Sequence, residues 1–213
     1  MIDGRFRDVV NSYTEPVGRG LVRLGASADV LTTSGLVFAC VTGWAIGSGH
    51  HVWAILFLAL TGAHDLFDGP VAKASNTASQ RGSFFDSVID RLSDGALMAG
   101  VMFYLETHHH GLLVLLPFAI MTSTFMISYE RSKAESLGLH AKGGLMERAE
   151  RMILLGISLV ANVLFLPVLW LLLALTTMTA LGRFYRVWRI AEGPKRATRE
   201  SRSVGGSVRP RRR

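Results

Sequence analysis

Long apolar runs, residues 112–127 and 152–179 among them, constrain this 213-residue chain more than any other feature. A water-soluble core does not need apolar stretches of that length, whereas each bilayer crossing takes about 20 mostly apolar residues. The composition agrees. Apolar residues make up 49% of the chain and charged residues 18%, against roughly 25% charged in soluble domains. Disorder is excluded for all but the ends. The single cysteine, Cys40, lies in an apolar run, allows no internal disulfide and is read as a small apolar residue.

The pattern predicts an all-α integral membrane protein with six spans, at 30–48, 52–72, 84–105, 111–130, 148–163 and 165–187. An interfacial amphipathic helix over 6–24 precedes them, with Phe6, Val9, Val10, Tyr13, Val17 and Leu21 near helical spacing. Only Asn162 and Pro167 break the last two spans apart, so five is the rival count. The charges favour six. An even count puts the termini on one side, with Arg5, Arg7, Arg19, Arg23, Lys73, Arg81 and the 131–151 loop. The opposite loops, 47–51, 106–111 and 162–166, contain no Lys or Arg. By the positive-inside rule the termini are cytoplasmic and the protein is multi-pass in the cell membrane. The first 25 residues show no apolar core of a signal peptide.

The chain therefore divides into a cytoplasmic segment (1–29), a membrane domain (30–190) and a basic tail (191–213). Of 23 basic and 16 acidic residues, eight and two lie in 192–213, leaving 15 and 14 elsewhere. The net charge of +7 is thus largely a property of the tail. Without apolar periodicity the tail is expected to be disordered and drawn to anionic headgroups. With no aromatic residue interleaved, it argues against nucleic-acid binding.

Carboxylates within a span cost about 2.5–3.5 kcal/mol each near its centre, which makes them functional candidates. Asp65 and Asp68 close the second span; Asp86 and Asp90 open the third, and Asp94 follows one turn on. Spacings of three and four residues put each pair on one helix face. The short connection predicts that the two helices are antiparallel neighbours, bringing the acids to one depth. Four such carboxylates repel unless cations lie between them. Hard divalent ions suit oxygen ligands, Mg²⁺ first and Mn²⁺ or Ca²⁺ second. Read blandly, an acid at a helix end only marks the water interface, and Asp65 pairs with His64 or Arg91. Four acids at matched spacing, with Gly69 and Gly82 beside them, go beyond that reading. A divalent-ion or proton-coupled transporter would also place acids in spans.

The run Asp65-Leu-Phe-Asp68-Gly69-Pro-Val-Ala72-Lys73, followed after eight residues by Gly82-Ser-Phe-Phe-Asp86-Ser-Val-Ile-Asp90, resembles the signature of the CDP-alcohol phosphotransferases, D-x2-D-G-x2-A-R-x8-G-x3-D-x3-D. Seven of the eight fixed positions match, and every spacing is kept. The departure is Lys73 for Arg, which keeps the charge and loses the bidentate fork.

That resemblance implies a membrane enzyme that displaces CMP from a CDP-linked lipid with an alcohol, as a homodimer. It implies Asp65, Asp68, Asp86 and Asp90 as ligands, with two Mg²⁺ (or Mn²⁺) ions per site, and Asp90 also as the base for the acceptor hydroxyl. Gly69 and Gly82 would admit the nucleotide to the backbone, with Lys73 and Ser79 facing its phosphates. The segment Ser27-Ala28-Asp29-Val30-Leu31-Thr32 is similar to the family's T-P-[ND]-x-[VL]-T nucleotide element, with Ala28 in place of proline. Ser27 or Asp29 also suits a helix N-cap.

A second basic patch runs from Ser128-Tyr129-Glu130-Arg131-Ser132-Lys133-Ala134-Glu135 through Glu147-Arg148-Ala149-Glu150-Arg151. A positive-inside loop accounts for part of it. A phosphorylated acceptor would need such cations at the mouth where the acids lie. The arrangement resembles the actinobacterial phosphatidylinositol-phosphate synthases, implying CDP-diacylglycerol as donor and inositol phosphate as acceptor. Arg131, Lys133, Arg148, Arg151 and Arg183 would then hold the acceptor phosphate. Glycerol 3-phosphate is the alternative acceptor. His108, His109 and His110 read as an exposed outer turn, and Trp44, Trp53 and Trp188 as interfacial anchors.

Overall fold

The computed structural model describes residues 14–109, 111–139 and 143–192. The first half of the expected interfacial helix, His110 and the tail beyond Glu192 lie outside them. Among the described residues the chain is helical throughout and contains no strand. A helix over 14–23 (α1) is followed by α2 (Ala28–Gly47), α3 (His51–Ala74), α4 (Gln80–His108), a 3₁₀ turn (Gly111–Val114), α5 (Leu115–Ser136), α6 (Arg148–Val160) and α7 (Asn162–Glu192).

Six helices thus stand where six spans are expected. Among the described residues four segments are long and apolar enough to cross a membrane: α2, α3, the 3₁₀ turn with α5, and α7. The two exceptions have separate causes. Helix α4 has 29 residues, but Asp86, Asp90, Arg91 and Asp94 charge its first half. Helix α6 has 13 residues, about 20 Å at 1.5 Å per residue against a hydrocarbon core of about 30 Å. It stops at Ala161, whose extended backbone (φ −147°, ψ 135°) turns the chain directly into α7.

The helix starts follow local chemistry. Ser27 accepts from the Val30 amide at 3.3 Å and Ser79 from the Gly82 amide at 3.1 Å, capping α2 and α4. Between α3 and α4, Asn76 takes a left-handed conformation (φ 55°), one that asparagine tolerates better than most residues.

The core is made by Ile46, Leu97, Val101, Leu105, Ile120, Leu155, Leu159, Phe165, Leu169 and Leu172, all nearly or fully buried. Many large apolar side chains face outward instead, among them Trp44, Trp53, Phe103, Val163 and Trp170. So broad an apolar surface suits lipid rather than water. Helix α2 packs against both α3 and α4, whereas no comparable interface joins α3 to α4. Helices α3 and α4 meet through their acidic side chains rather than through close backbone packing. The α2–α4 contact is backbone to backbone: a Cβ at Gly43 would collide with the Ala96 carbonyl, and one at Gly100 with that of Gly43. Helix α1 crosses α3 closely, since a Cβ on Gly18 would lie 3.0 Å from Pro70.

Candidate active site

With α2 holding α3 and α4 apart, their carboxylates project into a gap. One oxygen from each of Asp65, Asp68 and Asp86 lies within 4.8 Å of the other two, and all three residues are half-buried. Thr32, in the second turn of α2, donates to Asp68 Oδ2 at 3.2 Å and fixes its rotamer from the third side. A donor set of carboxylates alone suits a hard divalent cation. A Cβ built on Gly69 would meet nothing within 4 Å, so the backbone beside Asp68 faces open space.

Asp90 lies outside this triplet. Arg148, at the start of α6, contacts both Asp90 and Asp65 through Nη1, tying α3 to α4 across the gap. Arg91 Nη1 lies 3.6 Å from Asp90 Oδ2. Thus the bland pairing of Asp65 with Arg91 is replaced: Arg148 takes Asp65, and Arg91 faces Asp90. Behind them Asp94 accepts from Arg151 at 3.2 Å.

The basic patch converges on the same place. Asp86 and Asp90 share a cleft of about 1140 Å³ with Arg91, Arg131, Arg148, Arg151 and Arg183. Arg183 is 3% exposed. It donates to the Ile127 carbonyl at 2.8 Å and the Gly143 carbonyl at 3.4 Å, and pairs with Glu147 at 3.5 Å. Glu147 thus braces Arg183. Arg131 pairs with Glu135 at 3.1 Å within α5. Lys133 is exposed and does not line this cleft.

On the nucleotide side, Ser79 is the α4 cap, Gly82 lies beside it, Lys73 is exposed in the last turn of α3, and Asp29 faces Arg81 at 3.9 Å on the surface. Val30 is exposed, whereas Leu31 and Thr32 are buried against the bundle. Among the cleft residues given no functional role by the sequence are Arg91 and Ser87. Arg91 follows Asp90 directly and was readable as a neighbouring cation. Ser87 also lines the cleft, but nothing in its sequence context marks it.

A family model described as CDP-alcohol phosphatidyltransferase matches residues 26–188. The chain is 34% identical over 187 residues to an archaetidylinositol phosphate synthase of Methanothermobacter thermautotrophicus, covering 87% of this chain and 91% of that one. It is 30% identical over 191 residues to a phosphatidylinositol phosphate synthase of Mycobacterium tuberculosis, covering 82% and 85%. The crystal structure of a Mycobacterium tuberculosis phosphatidylinositol phosphate synthase with CDP-DAG bound superposes with a TM-score of 0.74 at 26% identity, covering 82% of this chain and 93% of that one. A second structure of that synthase, in complex with manganese and citrate, gives a TM-score of 0.73 at 26% identity, covering 82% and 88%.

Proposed function

Since this chain belongs to the CDP-alcohol phosphatidyltransferase family, we propose that it transfers a phosphatidyl group from CDP-diacylglycerol to a hydroxyl of inositol phosphate, releasing CMP. One observation carries this reading: Asp86 and Asp90 of the family signature share one cleft with four arginines from α5, α6 and α7, and Asp65 and Asp68 adjoin it through their cluster with Asp86. The acids serve the donor's diphosphate, and the arginines match an acceptor that bears its own phosphate. The two synthases named above share an inositol phosphate headgroup, which supports this acceptor over glycerol 3-phosphate.

Asp65, Asp68 and Asp86, joined by Asp90, would hold two divalent ions, Mg²⁺ or Mn²⁺. Such ions supply charge neutralisation at the diphosphate when bound. Lys73, Ser79, Gly69, Gly82 and the 29–32 segment would seat the cytidine diphosphate. Arg131, Arg148, Arg151 and Arg183 would orient the acceptor phosphate, and Lys133, outside the cleft, would add only long-range charge. Asp90 takes the proton from the acceptor hydroxyl. That oxygen attacks the lipid-bearing phosphorus; a new P–O bond forms, and the bond to CMP breaks.

The six helices are read as six spans, with both termini and the cleft on the cytoplasmic side, in a cell-membrane homodimer. Helix α1 is read as interfacial. The absence of Lys and Arg from the 47–51, 106–111 and 162–166 loops supports that orientation. The test is direct. Purified protein given CDP-diacylglycerol, Mg²⁺ and inositol phosphate releases CMP and forms phosphatidylinositol phosphate. Release with glycerol 3-phosphate alone overturns the acceptor; no release with any acceptor overturns the transfer.

A further inference from the structure

Asp94 is the most deeply placed acid of α4, 7% exposed, one turn beyond Asp90 on the same face. Its two oxygens face two different arginines. Oδ2 accepts from Arg151 Nη2 at 3.2 Å, and Oδ1 lies 3.6 Å from Arg148 Nε. Arg151, itself 8% exposed, also donates from Nη1 to the Met146 carbonyl at 3.2 Å, just ahead of α6. Its guanidinium is therefore held at two points.

Arg148 and Arg151 stand three residues apart at the start of α6, so both side chains project from one face. Two guanidiniums that close, shielded from water, repel each other. A carboxylate between them relieves that repulsion. It also sets direction: with Nε of Arg148 turned to Asp94, the Nη edge points to Asp65, Asp90 and the cleft. A buried carboxylate with no such partners would be costly. This one is placed where both arginines can use it.

We propose that Asp94 is a positioning residue: it splints Arg148 and Arg151 into the orientation that receives the acceptor's phosphate. The proposal rests on the reading that those two arginines hold that phosphate.

The test is steady-state kinetics of the full chain in lipid–detergent micelles, with CDP-diacylglycerol and inositol phosphate varied separately. Asp94→Asn keeps the shape and removes the charge. It raises the KM for inositol phosphate about ten- to a hundredfold, as loss of a supporting partner does elsewhere, and leaves the KM for CDP-diacylglycerol unchanged. Asp94→Glu restores part of the acceptor KM. A fall in kcat with both KM values unchanged would mean a purely structural role and overturn the proposal. Should the Asn chain fail to fold, the Glu variant decides: an acceptor KM raised above wild type supports the splint, a wild-type value overturns it. Arg151→Gln is the control. If it too leaves the acceptor KM unchanged, the underlying reading of the arginines fails; if it raises that KM and Asp94→Asn does not, only the Asp94 proposal falls.

Discussion

Thr32 donates a hydrogen bond to Asp68 across 36 positions of sequence, 3.2 Å from Oγ1 to Oδ2. The same hydroxyl lies 3.0 Å from the Ala28 carbonyl of its own helix, so α2 braces a carboxylate carried by α3. Thr32→Val keeps the side-chain volume and removes the brace. Its expected effect is about a tenfold weaker apparent affinity for Mg²⁺, measured as the Mg²⁺ dependence of CMP release. Thr32→Ser keeps the wild-type curve. A superimposable Mg²⁺ titration for the Val variant would show that the contact plays no part in holding the ion.

Asp90 lines the arginine-bearing cleft and shares Arg148 with Asp65. Asp90→Asn leaves a side chain of the same shape that cannot take a proton. Turnover falls at least about a hundredfold, while cytidine diphosphate still binds, as calorimetry on the purified protein would record. Retained turnover would remove Asp90 from the proton transfer.

Arg183 spreads its guanidinium over two carbonyls and Glu147. Arg183→Lys keeps the charge but cannot span those partners. The acceptor KM rises and the melting temperature drops, since each buried acceptor left without its donor costs about 1–3 kcal/mol. Thermal unfolding in detergent and acceptor titration measure the two effects separately. A variant with native melting and native KM would contradict the geometry.

Two glycines should behave oppositely. At Gly43 a side chain meets the α4 backbone, whereas at Gly69 it meets open space. Gly43→Val costs about 1–3 kcal/mol or more in stability. Gly69→Ala leaves melting unchanged and raises the KM for CDP-diacylglycerol, because the methyl fills space that the proposed nucleotide site uses. Equal melting losses for the two variants would refute the distinction.

Much of the fold was legible, for reasons particular residues make plain. The apolar blocks placed all six helices to within a few residues, since lipid allows few alternatives to a helix of that length. Asp65, Asp68 and Asp86 were readable because helical spacing alone puts each pair on one face. Other features depend on distant pairings with no local signature. Arg148 reaches Asp65 and Asp90 over separations of 83 and 58 residues. Nothing in the short 75–79 connection reveals that α2 packs against both helices it joins. Helix α6 ends at Val160, a few residues before the expected 163, because the chain turns at Ala161 just ahead of Asn162. Its length was therefore overestimated.

The glycine seam between α2 and α4 lies toward the far end of the bundle from Thr32, Asp68 and Asp86. The spacing fixed at that seam carries along both helices to their other ends. Thr32 rides on one of these helices and Asp86 on the other, so the gauge between them is set by a joint that leaves no room for even a methyl group.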